Sequence, residues 1–255
     1  MLVRYLLAAL AAGLFVGVLM TPIHYLKLVP LIEHAEVYEQ GGHGIAPTHE
    51  HQASLVSSAY AHGLSNHQAG RVILVHGPAA AGGEEEGDAS LFESRALGTL
   101  TANLVTGAGF ALMLGAVALL TGHRITLRTG ALWGLAGFAA ISLAPALGLP
   151  PELPAMPVAD LSTRQIWWIM TVVMTAAGLY CLVLRRQPVV RAGGALLLVV
   201  PHLFAAPHPA DLSSPIPPTL AAEFAVASLA TGALFWVLLG LSLGAAMDRY
   251  VGAEA

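Results

Sequence analysis

Six long apolar runs dominate the sequence and limit what the chain can fold into. A helix needs about 20 mostly apolar residues to cross a bilayer, because every backbone N–H and C=O must be paired inside the segment. The six runs reach or approach this length, and none has a charge in its central stretch. They cover residues 5–23, 97–121, 129–149, 165–184, 189–206 and 219–246. The sequence therefore predicts an all-α, polytopic membrane helix bundle.

Two of the six runs have alternatives. The fifth run is short, has Arg191 near its start and contains Pro201, so five membrane-spanning helices remain the alternative to six. The first run follows Arg4 and has the pattern of a secretory signal as its alternative. It ends at Met20 without a small-residue cleavage pattern, and we therefore predict a membrane-spanning helix there.

Composition excludes several classes of protein. Only 10% of the residues are charged, against about 25% in an ordinary soluble domain. The net charge of -4 gives no electrostatic footprint for a nucleic-acid partner, and one cysteine cannot form a disulfide within the chain. No phosphate-binding Gly-Lys-Ser/Thr loop occurs, and no run carries the His-x-x-x-His pair of a clustered metal site. We predict that the chain is not an enzyme and has no resident cofactor.

Positive charges predict the orientation, because Lys and Arg close to the spans accumulate on the cytoplasmic side. With six spans, one side receives Arg4, Arg124, Arg128, Arg185, Arg186, Arg191 and Arg249 on short connections or termini. The other side receives Lys27, Arg71, Arg95 and Arg164, spread over far more residues. Both termini are therefore predicted to be cytoplasmic.

The long segment 24–96 is predicted to be a His-rich loop outside the membrane, between the first span (1–23) and the remaining bundle (97–247), with 248–255 as a tail. It holds eight of the 11 histidines, and His49 and His51 flank Glu50. Neutral imidazole is a common ligand of divalent metals, but the spacing matches no closed zinc motif. We predict a mobile, low-specificity metal collector with a helix near 28–39. The alternative is that these histidines are polar filler in a solvated loop.

A second group of candidate ligands lies near the outer ends of the spans. Ionisable groups at membrane depth are costly and are therefore functional candidates. The group consists of His202, His208, Glu223, Asp211 and His24. Pro201 frees a backbone carbonyl beside His202, as in broken helices that line transport sites. We predict the mouth of a divalent-cation path, with helix-locking hydrogen bonds as the alternative for His202 and Glu223 and a helix cap for Asp211.

Other features predict packing. Small residues one turn apart let helices approach closely, and three such pairs occur: Gly13 with Gly17, Gly130 with Gly134, and Gly240 with Gly244. Ser162 followed by Gln165 predicts a capping box at the start of the fourth span. Trp167 and Trp168 predict anchors at the membrane interface.

Several blocks, spread over nearly the whole chain apart from about residues 41–90, resemble one family. They are residues 21–24 (TPIH), 29–39 (VPLIEHAEVYE), 130–137 (GALWGLAG), 143–154 (LAPALGLPPELP), 164–168 (RQIWW) and 201–207 (PHLFAAP). In combination they are similar to the CbtA family of predicted cobalt transporter subunits of bacteria. The middle of the first loop departs from the family.

The resemblance implies an inner-membrane protein that takes up cobalt, often encoded beside cobalamin synthesis genes. It implies about five spans and a partner, the small single-span protein CbtB, which has its own His cluster. Our expectation is therefore uptake of Co²⁺ across the bacterial inner membrane. Ni²⁺ and Zn²⁺ remain open, because imidazole and carboxylate sites bind them comparably or more tightly. The alternative is a metal-binding accessory or scaffold subunit of a separate transporter.

Overall fold

The structure, a computed structural model, describes residues 2–41 and 84–251, with side chains described for residues 2–39 and 94–251. The described part of the chain folds into helices, with no strand in those two ranges. In chain order they are α1 (Leu2–Lys27), α2 (Val29–Gly41), α3 (Glu84–Thr121), α4 (Leu127–Ala146), α5 (Leu161–Leu184), α6 (Pro188–Leu203) and α7 (Pro218–Tyr250). The all-α prediction is confirmed.

Five of the described helices are long and apolar enough to cross a membrane: α1, α3 from Ser94, α4, α5 and α7. They coincide with five of the six predicted runs. The fifth run forms α6, which has 16 residues and is roughly 24 Å long at 1.5 Å per residue. Because the hydrocarbon core is about 30 Å thick, α6 falls short of the usual spanning length. The chain is a multi-pass membrane protein.

Three stacked apolar clusters define the direction of the helices. Ala8 of α1 packs near Met247 of α7 in the first cluster, and Val16 packs near Leu239 in the second. Residue numbers rise along α1 while they fall along α7, so these two helices are antiparallel. Leu28 and Leu220 meet in the third cluster. Both described ends of the chain thus lie at one end of the bundle, called here the terminal end, and the third cluster marks the opposite loop end.

Glycines set the closest helix contacts, as predicted. A Cβ added to Gly17 of α1 would lie 2.6 Å from the carbonyl oxygen of Asn103 in α3. Added to Gly130 of α4, it would overlap the carbonyl oxygen of Gly240 in α7. Since backbone atoms cannot rotate away as a side chain can, only glycine permits these two contacts.

α5 and α6 form an antiparallel hairpin on the side of this core. At the terminal end, the Nε of Arg191 donates to the carbonyl oxygen of Leu182 at 3.0 Å. In the middle, Gly178 and Gly194 face each other so closely that a Cβ on either would lie 2.8 Å from the other's carbonyl oxygen. α6 therefore returns along α5 toward the loop end.

Helix α2 lies across the loop end, where Ala35 packs into the third cluster with Leu153 and Ile216. The carboxylate of Glu36 accepts from the guanidinium of Arg95 at 2.9 Å, which ties α2 to α3. The helix predicted near 28–39 is confirmed. The predicted loop 24–96 is helical at both ends, because α1 continues to Lys27 and α3 begins at Glu84; its middle lies outside the described residues.

The predicted capping box of α5 is wrong. Asp160, not Ser162, is the N-cap residue, and its carboxylate accepts from the backbone N–H of Thr163 at 3.1 Å. The hydroxyl of Ser162 donates to the same carboxylate at 2.5 Å. These hydrogen bonds lower the pKa of Asp160, since both stabilise the charged form.

Candidate functional site

Two of the predicted ligands, His202 and His208, line the same pocket at the loop end of the α5–α6 hairpin. The pocket has a volume of about 290 Å³ and is completed by Leu147, Gly148, Trp167 and residues 204–206. Pro201 is buried inside α6, which continues two residues beyond it, so His202 occupies the last turn of the helix. His208 follows where the chain has left the helix, and both imidazoles are exposed.

Trp167 forms a buried part of the pocket wall, so the prediction that it anchors the chain at the membrane interface is wrong. Its side chain is only 6% exposed, and its indole Nε1 donates to the carbonyl oxygen of Phe204 at 3.4 Å. Its ring also lies edge-on to the ring of His202, with 6.2 Å between the centroids. The sequence marked the indole but not its partner, because the contact depends on how α6 returns along α5.

Glu223 and Asp211 do not line this pocket. Glu223 is exposed in the second turn of α7. The carboxylate of Asp211 accepts from the backbone N–H and the hydroxyl of Ser213, both at 2.8 Å, and these bonds lower its pKa. Asp211 therefore closes a turn before α7 and does not cap that helix, which begins at Pro218.

His24 lines a different and larger cavity, and a chain of hydrogen bonds orients its ring. The hydroxyl of Thr21 donates to the carbonyl oxygen of Gly17 at 2.8 Å, so its oxygen accepts from the amide of Asn103 at 3.2 Å. The amide oxygen of Asn103 faces Nδ1 of His24 at 2.9 Å. An amide oxygen only accepts, so Nδ1 carries the proton and Nε2 carries the lone pair that a metal would need.

The larger cavity has a volume of about 420 Å³ and lies among α1, α4, α5 and α7. Most of its wall is apolar, and its polar side chains are His24, Ser142, Arg164, Gln165, Ser228 and Thr231. Ser142 belongs to a π-helical turn of α4, residues Ala139–Leu143, and its hydroxyl oxygen accepts from Nε1 of Trp236 at 3.3 Å. Pro145, one turn later, has no N–H, so a carbonyl of this turn lacks its usual donor. Such turns are frequent at functional sites.

A buried ion pair borders the larger cavity. Arg164 is 7% exposed, and its guanidinium donates to the carboxylate of Glu152 at 2.6 Å. Burial raises the pKa of Glu152 although Arg164 opposes that shift. From the sequence, Arg164 was predicted only as an outer cation, and neither Glu152 nor Asn103 was predicted as a site residue. An Arg in the first turn of an apolar helix was the available signal for a buried partner.

The described residues hold no ready-made metal centre. Nowhere in residues 2–39 and 94–251 do three His, Cys, Asp or Glu side chains lie close enough to hold one ion. The five ligands predicted near the span ends therefore do not form one cluster: His202 and His208 share a pocket, and His24 lies in the larger cavity. His49 and His51 lie outside the described residues.

Comparison with known families decides the identity. Residues 2–248 match the model of the family described as "Probable cobalt transporter subunit (CbtA)". The chain belongs to the CbtA family. No curated protein and no solved structure gives a significant match to the chain.

Membership of the CbtA family confirms the resemblance seen in the sequence. The family is one of transporter subunits and not an enzyme class, and a subunit implies a partner. The family description quoted above names cobalt as the transported metal.

Proposed function

We propose that this CbtA protein mediates uptake of Co²⁺ across the bacterial inner membrane, with the loop end outside. The observation that carries the proposal is the pairing of His202 and His208 in one pocket of a chain whose family is described as cobalt transporter subunits. Imidazole is the neutral ligand that suits Co²⁺, Ni²⁺ and Zn²⁺.

Six passes through the membrane fit this proposal better than five. The antiparallel clusters support two chain ends on one side, which requires an even number of passes. α6 returns along α5 from the terminal end to the loop end, and the apolar stretch after it continues to Ala206. A 16-residue helix can cross where the bilayer thins locally or where flanking residues snorkel.

The charge distribution supports the terminal end as the cytoplasmic side. Seven arginines lie there: Arg4, Arg124, Arg128, Arg185, Arg186, Arg191 and Arg249. The described cations at the loop end are Lys27, Arg95 and Arg164, and the last two pair with carboxylates. This asymmetry agrees with the positive-inside rule. With the terminal end in the cytoplasm, the pocket of His202 and His208 at the loop end faces the outside of the membrane.

In the proposed capture step, Co²⁺ exchanges water for the imidazoles of His202 and His208 and keeps water at its remaining positions. Asp211 and Glu223 are retained as weaker outer ligands that add negative charge near the path. His49 and His51 are proposed to raise the local metal concentration. His24, whose Nε2 carries the lone pair, is proposed as a ligand further along the path. Ligating imidazole must be neutral, so capture should weaken below about pH 6.

Isothermal titration of the detergent-solubilised protein with Co²⁺ tests the capture step. The test variant is His202→Gln, and the matched control is His123→Gln, because His123 is exposed at the opposite end of the bundle. Weaker binding in His202→Gln alone is the expected result. Equal affinity in both variants would contradict capture at this pocket, as would affinity that stays constant from pH 7.5 to 5.

A partner subunit of the single-span CbtB type is part of the proposal, because the family is described as a subunit. The second candidate function is a metal-binding accessory or scaffold for a separate transporter, favoured by the absence of a three-ligand centre among the described residues. The two differ in one outcome. A transporter subunit raises Co²⁺ uptake with its small partner alone, and a scaffold does so only with a separate pore.

A further inference from the structure

The turn between α5 and α6, at the terminal end of the bundle, carries three exposed arginines without an acid partner. They are Arg185, Arg186 and Arg191. The sequence has no Asp or Glu anywhere in residues 161–210. Across the part of the chain that the structure describes, no carboxylate forms an ion pair with any of the three. The turn therefore presents three positive charges that the protein itself does not neutralise.

Two of these guanidinium groups are held in place by contacts within the hairpin. The Nε of Arg191 donates to the carbonyl oxygen of Leu182, and this bond leaves the N–H groups of both Nη atoms available. The Cζ of Arg185 lies over the ring of Tyr180, 5.2 Å from its centroid. Contact through the flat face keeps the N–H groups at the edge of the guanidinium free. Because the chain positions these donors in advance, binding a ligand there loses less conformational entropy.

The surroundings of these arginines indicate a ligand that is both charged and apolar. Guanidinium binds phosphate through two parallel N–H···O bonds. Val183 in the last turn of α5 is 70% exposed, and Val189 in the first turn of α6 is 81% exposed. α6 packs mainly on α5, so lipid covers most of its remaining surface. A phospholipid matches both features, because its phosphate can meet the arginines while its acyl chains meet the valines.

We propose that the turn between α5 and α6 binds the headgroup of an anionic phospholipid, with the phosphate oxygens accepting from Arg185, Arg186 and Arg191. A lipid with net negative charge fits better than a zwitterionic one, because the turn has no carboxylate to pair with a choline or ethanolamine group. The bound headgroup joins the end of α5 to the start of α6, a helix too short for the full hydrocarbon core. The proposal does not depend on cobalt transport, because its test measures lipid binding.

The first test separates a site at this turn from the general attraction of a positive surface for anionic lipid. The test variant is Arg185→Gln with Arg186→Gln. The matched control, Arg124→Gln with Arg128→Gln, also removes two exposed arginines at the terminal end, but there the carboxylate of Asp248 accepts from the first backbone N–H of α4 at 2.9 Å. The full chain in detergent is titrated with short-chain phosphatidylglycerol. We expect the Kd to rise about tenfold to thirtyfold in the test variant and to stay close to wild type in the control.

The second test identifies the source of the phosphate by titrating wild type with short-chain phosphatidylcholine and with glycerol phosphate. Both should bind far more weakly than phosphatidylglycerol, the first because its ammonium cancels its charge and the second because it has no acyl chains. Equal binding of glycerol phosphate would overturn the lipid in favour of a soluble anion. Equal binding of phosphatidylcholine, equal Kd values in the two double variants, or no saturable binding to wild type would overturn the site. Both variants lose only exposed side chains, so both should melt at the wild-type temperature.

Discussion

Replacing Gly107 with alanine should push α1 and α3 apart. A Cβ at Gly107 would overlap the carbonyl oxygen of Gly13 and would lie 3.3 Å from the backbone nitrogen of Gly17. Ordinary contacts between heavy atoms are about 3.5–4.0 Å. All the opposing atoms belong to the backbone, so the helices must separate. Overpacking of this kind costs about 1–3 kcal/mol.

Gly109 provides the matched control, because it lies on the same helix and a Cβ there meets nothing within 4 Å. Both substitutions gain the same intrinsic helix propensity, about 0.8–1 kcal/mol in water, so their difference isolates the packing cost. In detergent, Gly107→Ala should melt about 2–12 °C below Gly109→Ala, at about 2–4 °C per kcal/mol for a chain of this size. Equal melting temperatures would refute the close approach of α1 and α3.

Three further predictions concern the loop end. Lowering the pH toward the ordinary pKa of a glutamate should raise the free energy of unfolding of wild type relative to that of Glu152→Gln. The reason is that the pKa of Glu152 is raised in the folded state, which therefore binds its proton more tightly than the unfolded state. SDS titrations at pH 6.5 and 5 measure both free energies, and a wild-type value that falls relative to that of the variant on acidification would count against the prediction. If His24 is a ligand, Asn103→Leu should weaken Co²⁺ binding by about tenfold, since Asn103 fixes which nitrogen of His24 is protonated. Asn103→Asp should retain most of the affinity. Titration calorimetry measures both affinities, and an unchanged affinity in Asn103→Leu would show that His24 is not a ligand. Arg95→Gln should lower the free energy of unfolding by at most about 1 kcal/mol, because both side chains of its ion pair with Glu36 are partly exposed to solvent. A large fall in melting temperature would show that α2 depends on this pair.

The spans could be predicted from the sequence because the bilayer leaves a helix few alternatives. An apolar run of sufficient length must pair its own backbone groups, and five of the six runs form helices of spanning length. The close glycine contacts could also be predicted, because small residues one turn apart on a membrane helix allow a neighbouring helix to approach closely. Pro201 and Arg191 correctly marked the fifth run as the weakest, and α6 is the short helix.

The polar contacts could not be predicted, because they join residues far apart in the chain. Asn103 reaches His24 across 79 positions and Trp167 reaches Phe204 across 37. Each depends on how two helices pack, which local patterns do not encode. The choice of Asp160 over Ser162 as the cap of α5 is different, since both residues are suitable N-caps and only the helix start decides between them. His202 and His208 were predicted together because they are six residues apart and each directly follows a proline.

Uptake of radioactive Co²⁺ tests the central claim most directly. Cells without their own cobalt importers would express this chain with its single-span partner, either as wild type, as the double variant His202→Ala with His208→Ala, or as the control His123→Ala. We expect wild type and His123→Ala to take up Co²⁺ equally, and the double variant to be slower by at least about tenfold at low Co²⁺, as expected when metal ligation is lost. Uptake by the double variant at the wild-type rate would contradict capture of cobalt at the pocket of His202 and His208.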